Sequence, residues 1–76
     1  MEYKTSSDLM KAVREAGLTS DSHPLRWITY REKKGVLICP KDPVTGRRRF
    51  TERDIKEIVR AFSPGGIGRW KPRPGK

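Results

Sequence analysis

Val36-Leu37-Ile38-Cys39-Pro40-Lys41-Asp42-Pro43-Val44-Thr45-Gly46-Arg47-Arg48-Arg49-Phe50 is the stretch on which the reading of the fold turns. Val36 to Cys39 is a short β-prone run, and Pro40 ends it because proline has no amide hydrogen to continue a ladder. Lys41 to Gly46 supplies turn chemistry, with Asp42, Pro43 and Gly46 at its corners. Arg47-Arg48-Arg49-Phe50 then reads as a return strand, so the stretch predicts a β-hairpin with a basic second strand. Alternate residues of a strand face opposite sides. If Phe50 points inward, Arg48 shares its face, and Arg47 and Arg49 share the other. Three adjacent cations on one strand repel unless an anion lies beside them.

Helical patterns flank this stretch. On the carboxy-terminal side, Thr51 and Asp54 form a capping pair, and Ile55, Ile58, Val59 and Phe62 follow at the spacing of a buried stripe. Ser63-Pro64-Gly65-Gly66 closes that helix. On the amino-terminal side, a second helix is predicted from Pro24 in its first turn to Lys34, stopping at Gly35. Leu25, Ile28 and Trp27 are its core-facing residues. Further back, Thr5 with Asp8 opens a first helix carrying Leu9, Val13 and Ala16 on one face with Met10 beside them, and Gly17 ends it. Thr19 to Pro24 forms the turn between them.

The expected fold is therefore α+β: a winged helix-turn-helix of three helices with a two-stranded β-hairpin wing. Residues 1–62 form one domain, and 63–76 form a flexible basic tail rich in Pro and Gly. Trp70 either belongs to that tail or folds back to cover the third helix. At 76 residues a single modest core must suffice. Cys39 is the only cysteine, which excludes an intramolecular disulfide and any zinc-ribbon spacing and suits a reducing cytosol. No apolar run approaches the roughly 18 residues of a membrane span, and no signal-peptide core opens the sequence.

The formal net charge is +9, and its distribution says more than its size. Residues 23–50 carry eight basic and two acidic side chains and residues 63–76 four basic and none acidic, while the remainder is close to neutral. Localised basicity of this kind is the footprint of a polyanion-binding face.

At this point the sequence resembles the DNA-binding domain of the MerR family. Gly46-Arg47-Arg48-Arg49-Phe50-Thr51-Glu52-Arg53-Asp54-Ile55 is similar, position for position, to that family's Gly-Tyr-Arg-Arg-Tyr-Ser-Glu-Glu-Asp-Leu. Tyr30-Arg31-Glu32-Lys33-Lys34-Gly35-Val36-Leu37 resembles its Tyr-Tyr-Glu-Arg-Glu-Gly-Leu-Leu, and Gly17-Leu18-Thr19 its Gly-Val-Ser. The likeness spans residues 5–62. Three features depart from it. The turn over 19–24 is longer, Thr29 stands where an arginine is expected with Arg26 one helical turn away, and no dimerising coiled coil follows. The chain is thus closer to small stand-alone relatives such as phage excisionases and short bacterial regulators, or to an excised domain.

The resemblance implies double-stranded DNA binding, as a transcriptional regulator or a recombination accessory. A helix presented by the turn reads the major groove, which makes Arg26, Thr29, Tyr30 and Arg31 the base-reading candidates, with Lys33 and Lys34 beside them. Alternatively Tyr30 is a core aromatic and Arg31 merely solvated. Arg48 fits the family's wing arginine on the phosphate backbone, with Lys41, Thr45, Arg47 and Arg49 around it. Arg69 and Lys71, flanking Trp70, would add phosphate contacts from the tail, or simply keep it in solution. Rival readings are a small basic RNA-binding or ribosome-associated protein, and a winged-helix protein-interaction module. No catalytic constellation, cofactor or metal site is expected, since His23 lies in a turn with no carboxylate pair of matching spacing. The expected state is a cytoplasmic monomer, nucleoid-associated when bound, pairing only on DNA.

Overall fold

A computed structural model describes residues 3–20 and 25–72. It contains three α-helices, α1 (Ser6–Glu15), α2 (Arg26–Lys34) and α3 (Glu52–Phe62). The expected start of α2 at Pro24 falls outside the described residues. Helices α1 and α3 begin in the same way. The Thr5 side chain accepts the Asp8 amide and the Asp8 carboxylate accepts the Thr5 amide, and Thr51 and Asp54 repeat the arrangement. Each pair satisfies two amides that the first helical turn leaves open. Helices α1 and α2 also end alike. Gly17 and Gly35 adopt φ of 75° and 79°, and the amides of Leu18 and Val36 reach back to the carbonyls of Val13 and Arg31. This is the left-handed closure that glycine makes without steric cost.

Helix α1 packs on both α2 and α3. The core consists of Leu9, Met10 and Val13 from α1, Trp27 and Ile28 from α2, Ile58 from α3, and Leu37, Cys39 and Phe50 from the segment between α2 and α3. Leu18, Leu25, Ile55, Val59, Phe62 and Trp70 are half-buried around it. Trp27 and Phe62 meet edge to face, with ring centroids 5.2 Å apart. Each large side chain so buried contributes about 1.5–3 kcal/mol.

The hairpin wing is not formed. Among the described residues the only β pairings are three isolated bridges, antiparallel between Lys4 and Phe50 and between Lys41 and Arg48, and parallel between Leu37 and Trp70. The winged α+β reading is therefore corrected to three helices joined by an irregular segment. The reason lies in what each expected strand pairs with. Val36 accepts from the amide of Trp70 and the Ile38 amide donates to Trp70, while Phe50 exchanges both its hydrogen bonds with Lys4. Near the turn, the Asp42 carboxylate takes the amides of Val44 and, at longer range, Thr45. Pro40 and Pro43 offer no amide at all. A ladder that would have run between two neighbouring strands is divided among three partners, one residue deep in each.

The segment after α3 also differs from the flexible tail expected over 63–76. Its described part turns back onto the body. The Gly68 amide donates to Ala61, Trp70 pairs with the Val36–Ile38 segment, and the indole nitrogen of Trp70 donates to Glu57 at 3.1 Å. Of the two alternatives for Trp70, the packed one is observed, and the folded unit extends at least to this residue. Trp70→Ala should therefore lower stability by about 2–3 kcal/mol, less than for a fully buried tryptophan. Urea denaturation measures this, and an unchanged midpoint would show that the tail contributes nothing to the fold.

Candidate nucleic-acid interface

The side chains of α2 divide cleanly. At 100° per residue, the exposed positions Arg26, Thr29, Tyr30, Lys33 and Lys34 occupy one continuous arc of about 140°. Trp27 and Ile28 are buried, with Arg31 and Glu32 half-buried beside them. The arc carries three cations and no acid. Within it, the Thr29 hydroxyl donates back to the carbonyls of Leu25 and Arg26, which leaves its methyl as the group presented outward. Tyr30 is exposed rather than a core aromatic, and Lys34 lies 4.7 Å above its ring. The same ammonium lowers the Tyr30 phenol below its ordinary value.

Arg31 is neither a base reader on the arc nor merely solvated. Its guanidinium stacks 4.1 Å from the Trp27 ring centroid and 5.5 Å from that of Phe62, and it donates to the Trp27 carbonyl. The planar cation covers the most polar aromatic of the core, whose buried indole nitrogen has no hydrogen-bond partner among the described residues.

The three consecutive arginines have three different surroundings. Arg48 turns onto Glu32 of α2 in a two-pronged pair, with Nε to Oε2 at 3.1 Å and Nη2 to Oε1 at 2.5 Å. Arg49 lies 4.3 Å above the Tyr3 ring and 3.8 Å from the Asp42 carboxylate. Arg47 is exposed, and among the described residues it carries no salt bridge. The same holds for Lys33 and Lys41. The cation that the MerR resemblance assigns to phosphate is thus the one most fully engaged within the protein. Thr45 uses its hydroxyl to accept the Arg47 amide and so shapes the turn.

Lys41, Arg47 and Arg48 share a groove with Leu25 at the start of α2 and Thr5, Ser6 and Ser7 at the start of α1. Among the described residues no carboxylate lines it. The positive end of a helix dipole and two unpaired cations therefore converge on one opening. The α1 amino terminus was missed by sequence reasoning, because only the folded chain brings residues 5–7 beside residues 41–48. Glu32 was missed too, although as the one acid between His23 and Lys41 it was visible as a candidate counterion. Arg69 and Lys71 lie elsewhere, in a groove at the far end of α2 with Gly35, Ile38, Ile67 and Trp70.

Burial, with Glu32 beside it, pushes the Cys39 thiol up to about 12, so it stays protonated at neutral pH. Among the described residues no group of three or more His, Cys, Asp or Glu is placed to hold a metal ion. No helix among them is long and apolar enough to cross a membrane. Comparison with protein-family models, with curated proteins and with solved structures finds no match to this chain.

The Glu32–Arg48 pair has a pH signature. The hydrogen bond from Arg48 holds the Glu32 carboxyl below its ordinary value of 4.5. A carboxyl depressed in the folded state contributes stability that is present above its unfolded pKa and lost as pH falls through the folded one. Glu32→Gln should cost about 1 kcal/mol at pH 7, the scale of a well-formed but partly exposed pair. The gap between the two proteins should narrow as pH falls below 4.5 and close once pH has passed the folded value. A difference equal at pH 7 and pH 3 would mean that the ionised pair is not what Glu32 contributes.

Proposed function

We propose that this chain binds double-stranded DNA, with the exposed arc of α2 in the major groove and Lys41 and Arg47 on an adjoining phosphate. The observation that carries this is the groove in which those two unpaired cations meet the starts of α1 and α2, with no carboxylate among its described lining residues. Phosphates are held by such combinations of Lys or Arg and helix amino termini, and those contacts orient a protein on the duplex. The nine residues of α2 span about 14 Å, and a major groove about 12 Å wide admits one α-helix. On the arc, Arg26 and Lys33 offer donors to guanine, and the outward methyl of Thr29 suits a thymine methyl. The likeness of Gly46–Ile55 to the MerR segment supports the same partner, with Arg47 rather than Arg48 as the phosphate contact.

RNA is a poorer fit. A-form duplexes hide their major-groove edges from a helix, and recognition of single strands calls for several exposed aromatic platforms. On the proposed face only Tyr30 is such a ring. In the cell this activity would belong to a transcriptional regulator or a recombination accessory acting as a monomer on one site.

Lys41→Ala and Arg47→Ala should each weaken binding to all duplexes by similar factors. Each should also reduce the slope of log K against log salt by about 0.9, one phosphate contact apiece. Filter binding or fluorescence anisotropy across a salt series reads this. Slopes that stay at the wild-type value in both variants would remove the loop from the interface. Tighter binding to structured RNA than to duplex DNA at matched salt would replace the partner.

A further inference from the structure

A second face, at the opposite end of α2, has a different character. Ile38 and Ile67 are 53% and 76% exposed, and both line the groove that runs along Trp70. A second groove shares Ile67, Arg69 and Trp70 with it and is lined as well by Ala61 and Pro64. The two grooves are about 550 and 570 Å³. Their rims carry Arg60, Arg69 and Lys71. Among the described residues Glu57 is the one acid lining either, and it is already occupied by the Trp70 indole and the Arg53 guanidinium.

We propose that this face docks an acidic segment of a partner protein, with apolar side chains entering the two grooves that share Ile67 and Trp70. Charge and shape select that occupant. Nucleic acid would match the rim but leave two aliphatic side chains against a polar backbone. A bilayer surface presents no separate side chains to enter the two grooves. A second copy of this chain would bring the same cations against themselves, because a two-fold contact juxtaposes identical patches. An acidic segment with spaced leucines or isoleucines satisfies both the recesses and the rim. This does not depend on the DNA reading, which uses other residues.

The test uses the full chain and three synthetic peptides of equal length: one alternating Glu with Leu, one alternating Lys with Leu, and one alternating Glu with Ser. Amide and indole NMR shifts report where each binds. The Glu/Leu peptide is expected to bind with a Kd on the order of 100 μM and to move Ile38, Ile67 and the Trp70 indole. Ile67→Ser should weaken it about tenfold while leaving duplex DNA binding unchanged, and Ile38→Ser serves as an independent second variant. Because both side chains are exposed, each variant should keep the wild-type melting temperature. The proposal is overturned by any of three results. The Glu/Leu peptide fails to bind. The Glu/Ser or Lys/Leu peptide binds the same residues as tightly. Or Ile38 and Ile67 shift with protein concentration alone, which would make the occupant a second copy.

Discussion

The contact between Arg48 and Glu32 fastens the return arm of the 36–50 segment to α2, sixteen residues back along the chain. Residues 36–50 form no extended ladder, and beyond the backbone bond from Val36 to Arg31 their position against α2 rests on side chains: Leu37, Cys39 and Phe50 in the core, and the paired guanidinium and carboxylate at its edge. The pair has planar geometry that fixes distance and direction together. It also relieves the loop of one of three adjacent positive charges. Arg49 is accommodated by Tyr3 and Asp42, and Arg47 is left to solvent. The loop can then present Lys41 and Arg47 in a defined place beside the starts of two helices.

The same economy of material governs the rest of the fold. Nine buried residues are a small core, and several groups outside it complete the enclosure. Arg31 lies flat across Trp27 and Phe62, and Trp70 returns from the carboxy-terminal segment to pair with Val36 and Ile38. A highly basic chain thereby uses some of its cations as packing and others as charge. Arg31, Arg48 and Arg49 are internal to the architecture, while Lys33, Lys41 and Arg47 remain for an external anion. Counting arginines in the sequence does not separate the two groups.

What was legible follows from how local each signal is. The caps at Thr5 and Thr51, the glycine stops at Gly17 and Gly35 and the stripe from Ile55 to Phe62 depend on neighbours within one or two turns, and they read directly. The hairpin did not, because alternation marks a segment as extended without naming its partner. Here Phe50 pairs with Lys4 and Leu37 with Trp70, at the far ends of the chain, while the two arms bridge each other only at Lys41 and Arg48. Arg48 is instructive. Its parity with Phe50 placed it on the inward face, whereas the family resemblance sent it to phosphate, and the structure shows it turned onto Glu32. Trp70 was hidden by its surroundings, since a Gly/Pro-rich basic run looks the same whether its one aromatic docks or not.

The central claim is that Arg48 is an internal fastening and that the loop's external charge lies at Lys41 and Arg47. The most direct measurement is the salt dependence of duplex DNA binding by Arg48→Gln, at a temperature where the variant is fully folded. The expected result is a slope of log K against log salt equal to that of the wild-type protein, accompanied by a lower urea midpoint. A slope smaller by about 0.9, with stability unchanged, would place Arg48 on a phosphate and contradict this account.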